Sequence, residues 1–308
     1  MPAVRIGLTG GASSVDKMIE QATRAEADGF TSLWYAGAIG GDPLVAIALA
    51  GRATSTIELG TSVLQTYPTH PLHQASRAAS VAAAMGRRGF TLGIGPSHRP
   101  VIEDVYGLSY EHPGRHTEEY VRVLAPLLRG QDMVFDGDEF RVRSAGRVTP
   151  PIEPIPLLVA ALGPRLLRVA GSLADGTVLW MANARAIEVH VDPRLREAAV
   201  AAGRAAPRIV AGLPVAVVDD EAEGRQVAAE LFAGYGVLPN YRRILDIGGA
   251  AAPGDVALVG DEASVAAQIE AVFAAGATDL WAAPFPVGSD RSASRARTRA
   301  LLRSLVAA

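Results

Sequence analysis

Short apolar, β-branched runs alternate with longer Ala-rich stretches along the whole chain. Val4–Leu8 is the first run; Ile19, Ala22 and Ala25 then recur at helical spacing between about Ser14 and Ala27, and Gly29 closes that helix. Ser32–Tyr35 reads as the second strand. Asp42-Pro43, an N-cap followed by proline at the first helical position, opens a helix that runs to about Thr54. Ile57–Val63 and Phe90–Ile94 are the third and fourth strands, separated by a helix from near Pro71 to Gly86. Between Gln131 and Val142 the rhythm breaks, and Asp136-Gly137 between β-prone residues predicts a hairpin. The Pro-rich stretch Thr149–Pro156 leads into a fifth strand, Leu157–Leu162, after which Thr177–Met181, Ile209–Val218 and Thr278–Ala283 follow with helices between them and a last helix near Arg291–Val306. Eight strands, each followed by a helix, predict an α/β fold of the (β/α)8 barrel type, with about 250 residues of barrel plus insertions. We expect one domain over residues 1–308, with the hairpin inserted over about 131–156. A doubly wound sheet would need a glycine-rich phosphate turn after its first strand, and Gly7, Gly10 and Gly11 do not form one.

Composition narrows the function. With 49% apolar and 20% charged residues in 308, the chain can bury a full core, and with no cysteine it excludes a disulfide framework, iron–sulfur ligation and thiolate zinc. A net charge of −3, from 29 basic and 32 acidic residues, offers no general attraction for nucleic acid or an anionic membrane, so a small molecule is the expected partner. No uncharged apolar run reaches the ~18 residues of a membrane span. Met1–Leu8 reads into a strand without the pattern of a secretory leader, which points to the cytoplasm. Gly93-Ile94-Gly95 has His98 where a dinucleotide fingerprint needs its third glycine, and no P-loop, H-E-x-x-H or G-x-S-x-G occurs. His112 and His116 have metal-pair spacing, but Pro113-Gly114 between them argues against the helix such a pair requires, and no metal is expected. Asp132, Asp136, Asp138 and Glu139 read as the solvated side of the hairpin. The one lysine, Lys17, sits inside the first helix, which argues against Schiff-base chemistry.

In a (β/α)8 barrel the chemistry sits where strands give way to loops. Here those ends are rich in small residues: Leu59-Gly60-Thr61-Ser62-Val63 after the third strand, Gly93-Ile94-Gly95-Pro96-Ser97-His98 after the fourth, Ala160-Ala161-Leu162-Gly163 after the fifth. Small residues there permit tight turns and also let a flat ring and a phosphate chain approach the backbone. Together with Ala25-Glu26-Ala27-Asp28-Gly29-Phe30, Gly86-Arg87-Arg88-Gly89-Phe90, Tyr106-Gly107 and Ala174-Asp175-Gly176, they make the sequence similar to the bacterial-luciferase-like barrel family, in its branch of oxidoreductases dependent on the deazaflavin coenzyme F420.

The resemblance implies a non-prolyl cis peptide at Ser62–Val63 behind the cofactor ring, with Thr61 beside it. It also implies that Gly95, Pro96, Ser97 and His98 lie beside ring and tail, and that Ala160, Ala161, Leu162 and Gly163 surround the ribityl chain and phosphate. Trp180, Met181, Ala182 and Asn183 would complete the cofactor site, with Arg185 as a phosphate partner. Many relatives carry an acid–His pair after the second strand, whereas this chain has Tyr35-Ala36-Gly37-Ala38. His98 is therefore the first choice for a general acid, with hydrogen bonding to cofactor or loop as its structural alternative. His70, before Pro71, reads as structural. Trp34, Tyr35 and Trp281 are expected walls of a substrate pocket, with one of the neighbours Trp34 and Tyr35 pointing into the barrel. Hydride transfer between the deazaflavin and an activated C=C, C=O or C=N bond or an alcohol is the implied reaction. An FMN-dependent monooxygenase and a non-catalytic deazaflavin carrier are the alternatives. Ala-rich faces such as Ala78–Ala84 are expected to pack either against another subunit, which would make a homodimer, or equally on the barrel itself.

Overall fold

Strands that are apolar on both faces belong between a packed interior and a covering layer of helices, and the chain builds that arrangement. A computed structural model describes residues 4–11, 14–37 and 41–306; Met1, Pro2, Ala3 and Ala38, on which parts of the sequence reading rest, lie outside them. The strands are β1 (Ile6–Gly10), β2 (Ser32–Tyr35), β3 (Glu58–Thr61), β4 (Leu64–Gln65), β5 (Phe90–Gly95), β6 (Val134–Asp136), β7 (Arg141–Arg143), β8 (Leu157–Val159), β9 (Gly176–Trp180), β10 (Arg208–Val217), β11 (Leu258–Gly260) and β12 (Asp279–Pro284). The helices are α1 (Val15–Ala27), α2 (Pro43–Ala53), α3 (Pro71–Met85), α4 (Pro113–Leu127), α5 (Pro164–Leu173), α6 (Ala184–Ala186), α7 (Asp192–Ala201), α8 (Glu221–Leu231), α9 (Ala233–Gly236), α10 (Pro239–Ile247), α11 (Glu262–Ala274) and α12 (Arg291–Val306).

Parallel pairing runs β1-β2-β3-β5-β8-β9-β10-β12 and returns to β1, a closed (β/α)8 barrel made of the eight strands expected. Two strands were not anticipated. β4 resumes the line of β3 after a bulge, and β11 extends the sheet beside the upper end of β10, pairing Val215 with Leu258. The inserted hairpin is β6–β7, and its turn is tied down by the Glu119 carboxylate, which accepts from the amides of Asp138, Glu139 and Phe140. The hairpin carboxylates are engaged rather than merely solvated: Asp136 pairs with Arg143, Asp138 and Glu139 with Arg115, and Asp132 accepts from Ser144 and Gly146. Pro113-Gly114 does not prevent a helix either; Pro113 is its first residue, and His112 is the N-cap. Among the described residues no cluster of His, Cys, Asp and Glu could hold a metal ion, and no helix is long and apolar enough to cross a membrane.

The barrel interior is filled by Trp34, Trp281, Leu158, Val178 and Val210, with Trp180 packed against them, so all three tryptophans share one cluster. Register explains how two indoles fit in one barrel. Trp34 lies beside Gly60 on β3 and Trp281 beside Gly212 on β10. A Cβ on Gly60 would fall 2.4 Å from the Trp34 ring, and one on Gly212 would fall 2.1 Å from the Trp281 ring. Below the cluster, at the N-terminal ends of the strands, Arg5 and Arg208 each bind both Glu58 and Asp279, closing the base with charge pairs from β3, β10, β12 and the residue ahead of β1.

Candidate active site

The opposite end of the barrel is built around a bulge. Gly60 pairs with Thr91 and Leu64 pairs with Ile94, so the chain from β3 to β4 carries one residue more than its partner β5. Thr61 locks the lower side of the bulge: its buried hydroxyl donates to the Gly93 carbonyl at 2.7 Å and accepts from the Gly93 amide at 2.8 Å. With both capacities used, Thr61 holds the bulge from beneath. The Ser62–Val63 peptide is cis. On either side of it the Ser62 amide donates to the Tyr35 carbonyl and the Gly37 amide to the Val63 carbonyl, which ties the bulge to β2. The Val63 side chain reaches over Gly95, where a Cβ would lie 3.0 Å from Val63 Cγ2 and 2.9 Å from Ala160 Cβ. Val63, Gly95 and Ala160 thus form one smooth apolar patch across three strand ends.

Next to the patch, Ser97 adopts a left-handed backbone (φ 62°) that a non-glycine residue takes at a cost of about 1–2 kcal/mol. The conformation is fastened by Gln65, which donates to the Ser97 hydroxyl, and by Tyr110, whose hydroxyl donates to the Ser97 carbonyl at 2.8 Å. It aims the following residue, His98, toward Tyr241 of α10, ring centroids 5.5 Å apart. Burial pushes the His98 imidazole below its ordinary range, so it is neutral at pH 7. A second left-handed residue, Met181 (φ 62°), ends β9 and is wholly buried with Ala182, so both shape the rim from within. Asn183 is spent on structure: its carbonyl oxygen caps α6 through the Ala186 amide, and its amide donates to the Gly248 carbonyl.

On the far side of the patch, Gly163 is the N-cap of α5 and brings no side-chain cap to that helix end. The guanidinium of Arg243, on α10, stands 3.4 Å from where a Gly163 Cβ would be. A cation facing the positive end of a helix is a repulsive pair unless an anion lies between them. Arg185, expected in that role, is exposed and lies near Gly249 instead.

The aromatic residues divide differently from the sequence reading. Trp34 is the inward one of its pair but is wholly buried, its Nε1 donating to the Ser32 hydroxyl at 2.9 Å, and so it forms the floor of the barrel rather than a wall of a pocket. Tyr35 points outward. Its ring packs on Gly10 and its hydroxyl donates to the Met18 carbonyl of α1 at 3.0 Å, which removes it from any pocket. Trp281 stacks on Trp180 at 4.9 Å beneath the mouth. Tyr235 and Phe232 meet the edge of Trp180, each at 5.8 Å, and Tyr241 meets Tyr235 at 4.9 Å. These three residues come from the segment between β10 and β11, where the sequence reading placed helices but no site residue. The available signal was three aromatic residues within ten positions of a chain that is 6% aromatic. His70 serves as the N-cap of α3, its Nδ1 accepting from the Leu72 amide. A cleft of about 390 Å³ opens beside the bulge between Gly37, Gln65, Thr69 and Tyr106, with its charged residues Arg77 and Asp42 paired to each other.

Comparison with known proteins places this geometry in context. The chain is 27% identical over 252 residues to a 5,10-methylenetetrahydromethanopterin reductase of Methanolobus tindarius, covering 78% of this chain and 76% of the relative. It is 32% identical over 236 residues to an F420-dependent hydroxymycolic acid dehydrogenase of Mycobacterium tuberculosis, covering 70% and 63%. Its fold matches that of an F420-dependent secondary alcohol dehydrogenase solved with an F420-acetone adduct, with a TM-score of 0.78 over 98% of this chain and 99% of the other at 19% identity. The sequence model of one family, described as luciferase-like monooxygenase, matches residues 2–307 and so runs the length of the barrel just described, and the chain belongs to that family.

Proposed function

We propose that the protein is a coenzyme F420-dependent oxidoreductase that moves a hydride between the deazaflavin and a small organic substrate. The observation that carries this reading is the smooth patch of Val63, Gly95 and Ala160 on the bulge, flanked by an uncapped helix end beside the Arg243 guanidinium, which makes no salt bridge among the described residues. A flat tricycle suits the patch because Gly95, having no Cβ, lets Val63 and Ala160 close over it into one apolar surface, and a phosphodiester would find both a helix N-terminus and a cation where Arg243 stands beside Gly163. Two relatives carry names that include F420-dependent or methanopterin-reductase activity, which supports the same choice.

In this reading Val63 backs the ring, and Ser62, Gly95, Pro96 and Ser97 border it. Ala160, Ala161, Leu162 and Gly163 follow the chain toward the phosphate, which Arg243 holds. Thr61, Met181, Ala182 and Asn183 position these residues from behind. When bound, the deazaflavin supplies a carbon where a flavin has its reactive nitrogen, and so exchanges hydride in a single two-electron step. His98 handles the proton. Its neutral imidazole accepts the hydroxyl proton of an alcohol being oxidised and, once protonated, returns a proton to a carbonyl oxygen in the reverse direction.

The test is anaerobic incubation of the protein and oxidised F420 with a panel of neutral secondary alcohols, following loss of the deazaflavin colour and formation of the ketone in equal amounts. Formation of an oxygenated product from reduced FMN and oxygen, above the yield without protein and without any F420 bleaching, would replace this reading by the monooxygenase one.

A further inference from the structure

From the wall that faces the proposed cofactor patch, we infer that the site selects a neutral, planar carbonyl compound carrying an apolar ring, and that the Tyr241 hydroxyl donates a hydrogen bond to its oxygen. The inference rests on the placement of the active site proposed above.

Four rings form a continuous chain from β5 to β9. His98 stands 5.5 Å from Tyr241, Tyr241 meets Tyr235 at 4.9 Å and 76°, and Tyr235 meets Trp180 at 5.8 Å and 68°. Trp180 in turn lies on Trp281 at 4.9 Å and 23°. Edge-to-face contacts of this kind fix ring planes, and such a wall accepts another flat ring more readily than a flexible chain.

The electrostatics of the wall are unusual in what they omit. Burial lowers the affinity of His98 for a proton and no charged neighbour alters it. Burial likewise raises the Tyr241 phenol, with only Tyr235 adding to the effect, and raises Tyr235, which only the Trp180 indole opposes. Tyr110, whose hydroxyl reaches the Ser97 carbonyl, and Tyr67 beside it by contrast feel Arg99, and Tyr67 also feels Glu103 and Glu139. The neighbouring cations are turned away from the rings, Arg99 to Glu103 and the Tyr110 carbonyl and Arg243 to Gly163, so a carboxylate held against His98, Tyr235 and Tyr241 would give up solvent without an ion pair, whereas a neutral carbonyl loses little.

Donors are nevertheless present. The Trp180 Nε1–H is buried with no acceptor in hydrogen-bond geometry, although it lies close enough to Tyr235 to steady that phenol. Tyr241 stays protonated across the physiological range, and among the described residues no hydrogen bond engages its hydroxyl or the His98 imidazole. A ligand with one strong acceptor and a flat apolar body satisfies both requirements.

Acetophenone and benzoate, equal in shape and different in charge, are the probes. Each is titrated by calorimetry into the wild type and Tyr241→Phe, with F420 bound and without it. The expected result is saturable acetophenone binding, at least about 10-fold weaker binding of benzoate, and a loss of about three- to ten-fold for acetophenone alone in Tyr241→Phe. The phenylalanine keeps the ring contacts, so its melting temperature and its F420 affinity should match the wild type. Benzoate binding as tightly as acetophenone, acetophenone failing to saturate, or an unchanged acetophenone affinity in Tyr241→Phe would each overturn the inference. Titration without F420 separates the two readings: if the cofactor proposal is wrong, F420 fails to bind while the preference for acetophenone persists, and if the wall is misread, the preference is lost while F420 still binds.

Discussion

Arg208→Met tests what closes the base of the barrel. Arg208 makes four hydrogen bonds, to Glu58 at 2.9 and 3.2 Å and to Asp279 at 2.6 and 3.3 Å. Asp279 is 1% exposed. Methionine keeps the bulk of the side-chain stem and deletes the charge. Removing one partner from a buried pair costs about 3–5 kcal/mol, because the other charge is left behind. Here Arg5 still reaches both carboxylates, at 2.6 and 2.7 Å, and the Arg208 side chain is itself 26% exposed, so the expected loss is about 2–3 kcal/mol. In a chain of this length that corresponds to about 3–5 °C in melting temperature. Burial alone would raise the Asp279 carboxyl, but Arg208 and its other partners hold it below its ordinary value of 3.8. A carboxyl lowered by folding contributes stability above its unfolded pKa and loses it as the pH falls through the folded one. Chemical denaturation at several pH values should therefore show the full gap between wild type and variant above about pH 4 and a closing gap below it. A loss under about 1 kcal/mol at pH 7, or a gap that persists at pH 3, would mean that these pairs behave as surface ion pairs and that packing alone holds the base shut.

Four further outcomes follow from the same structure. Tyr35→Phe should cost about 1 kcal/mol in unfolding, through its lost bond to Met18, and leave F420 affinity unchanged; altered affinity would return Tyr35 to the pocket. Gly212→Ala should cost about 1–3 kcal/mol and shift the tryptophan emission, because its Cβ cannot coexist with the Trp281 ring, and an unchanged melting curve would contradict that register. Arg243→Ala should weaken F420 at least about 10-fold while leaving the affinity for a deazaflavin lacking the phosphate unaltered, as titration of both compounds would reveal. With His98 lowered by burial, kcat/KM for alcohol oxidation should rise with pH to a plateau whose midpoint lies below 6.5, and His98→Ala should flatten that limb.

Much of the barrel is visible in local pattern, because each strand and helix announces itself within a few residues. Asp42-Pro43, Gly86 and Asp136-Gly137 mark ends and turns that the structure places where they were expected. Side-chain direction at a strand end is harder to see. Trp34 points inward and Tyr35 outward because glycines stand beside them on neighbouring strands, Gly60 next to Trp34 and Gly10 next to Tyr35. That pairing depends on register between distant segments, which local periodicity does not encode. The same holds for Arg243 and Tyr241. They belong to a segment between β10 and β11 that lacks strand alternation, and their partners Gly163 and His98 lie far away in sequence. Arg185 looked suitable because it follows Asn183 closely, but the cap that Asn183 gives α6 leaves Arg185 on the exposed side of that turn.

The central claim is the identity of the cofactor, and a paired titration of F420 and FMN, read by tryptophan fluorescence, tests it most directly. All three tryptophans lie in the cluster under the proposed ring site, so a bound chromophore must report there. The account predicts saturable quenching by F420 at concentrations at least about 10-fold below those needed for FMN, a difference of about 1.4 kcal/mol. FMN binding as tightly as F420, or tighter, would contradict it.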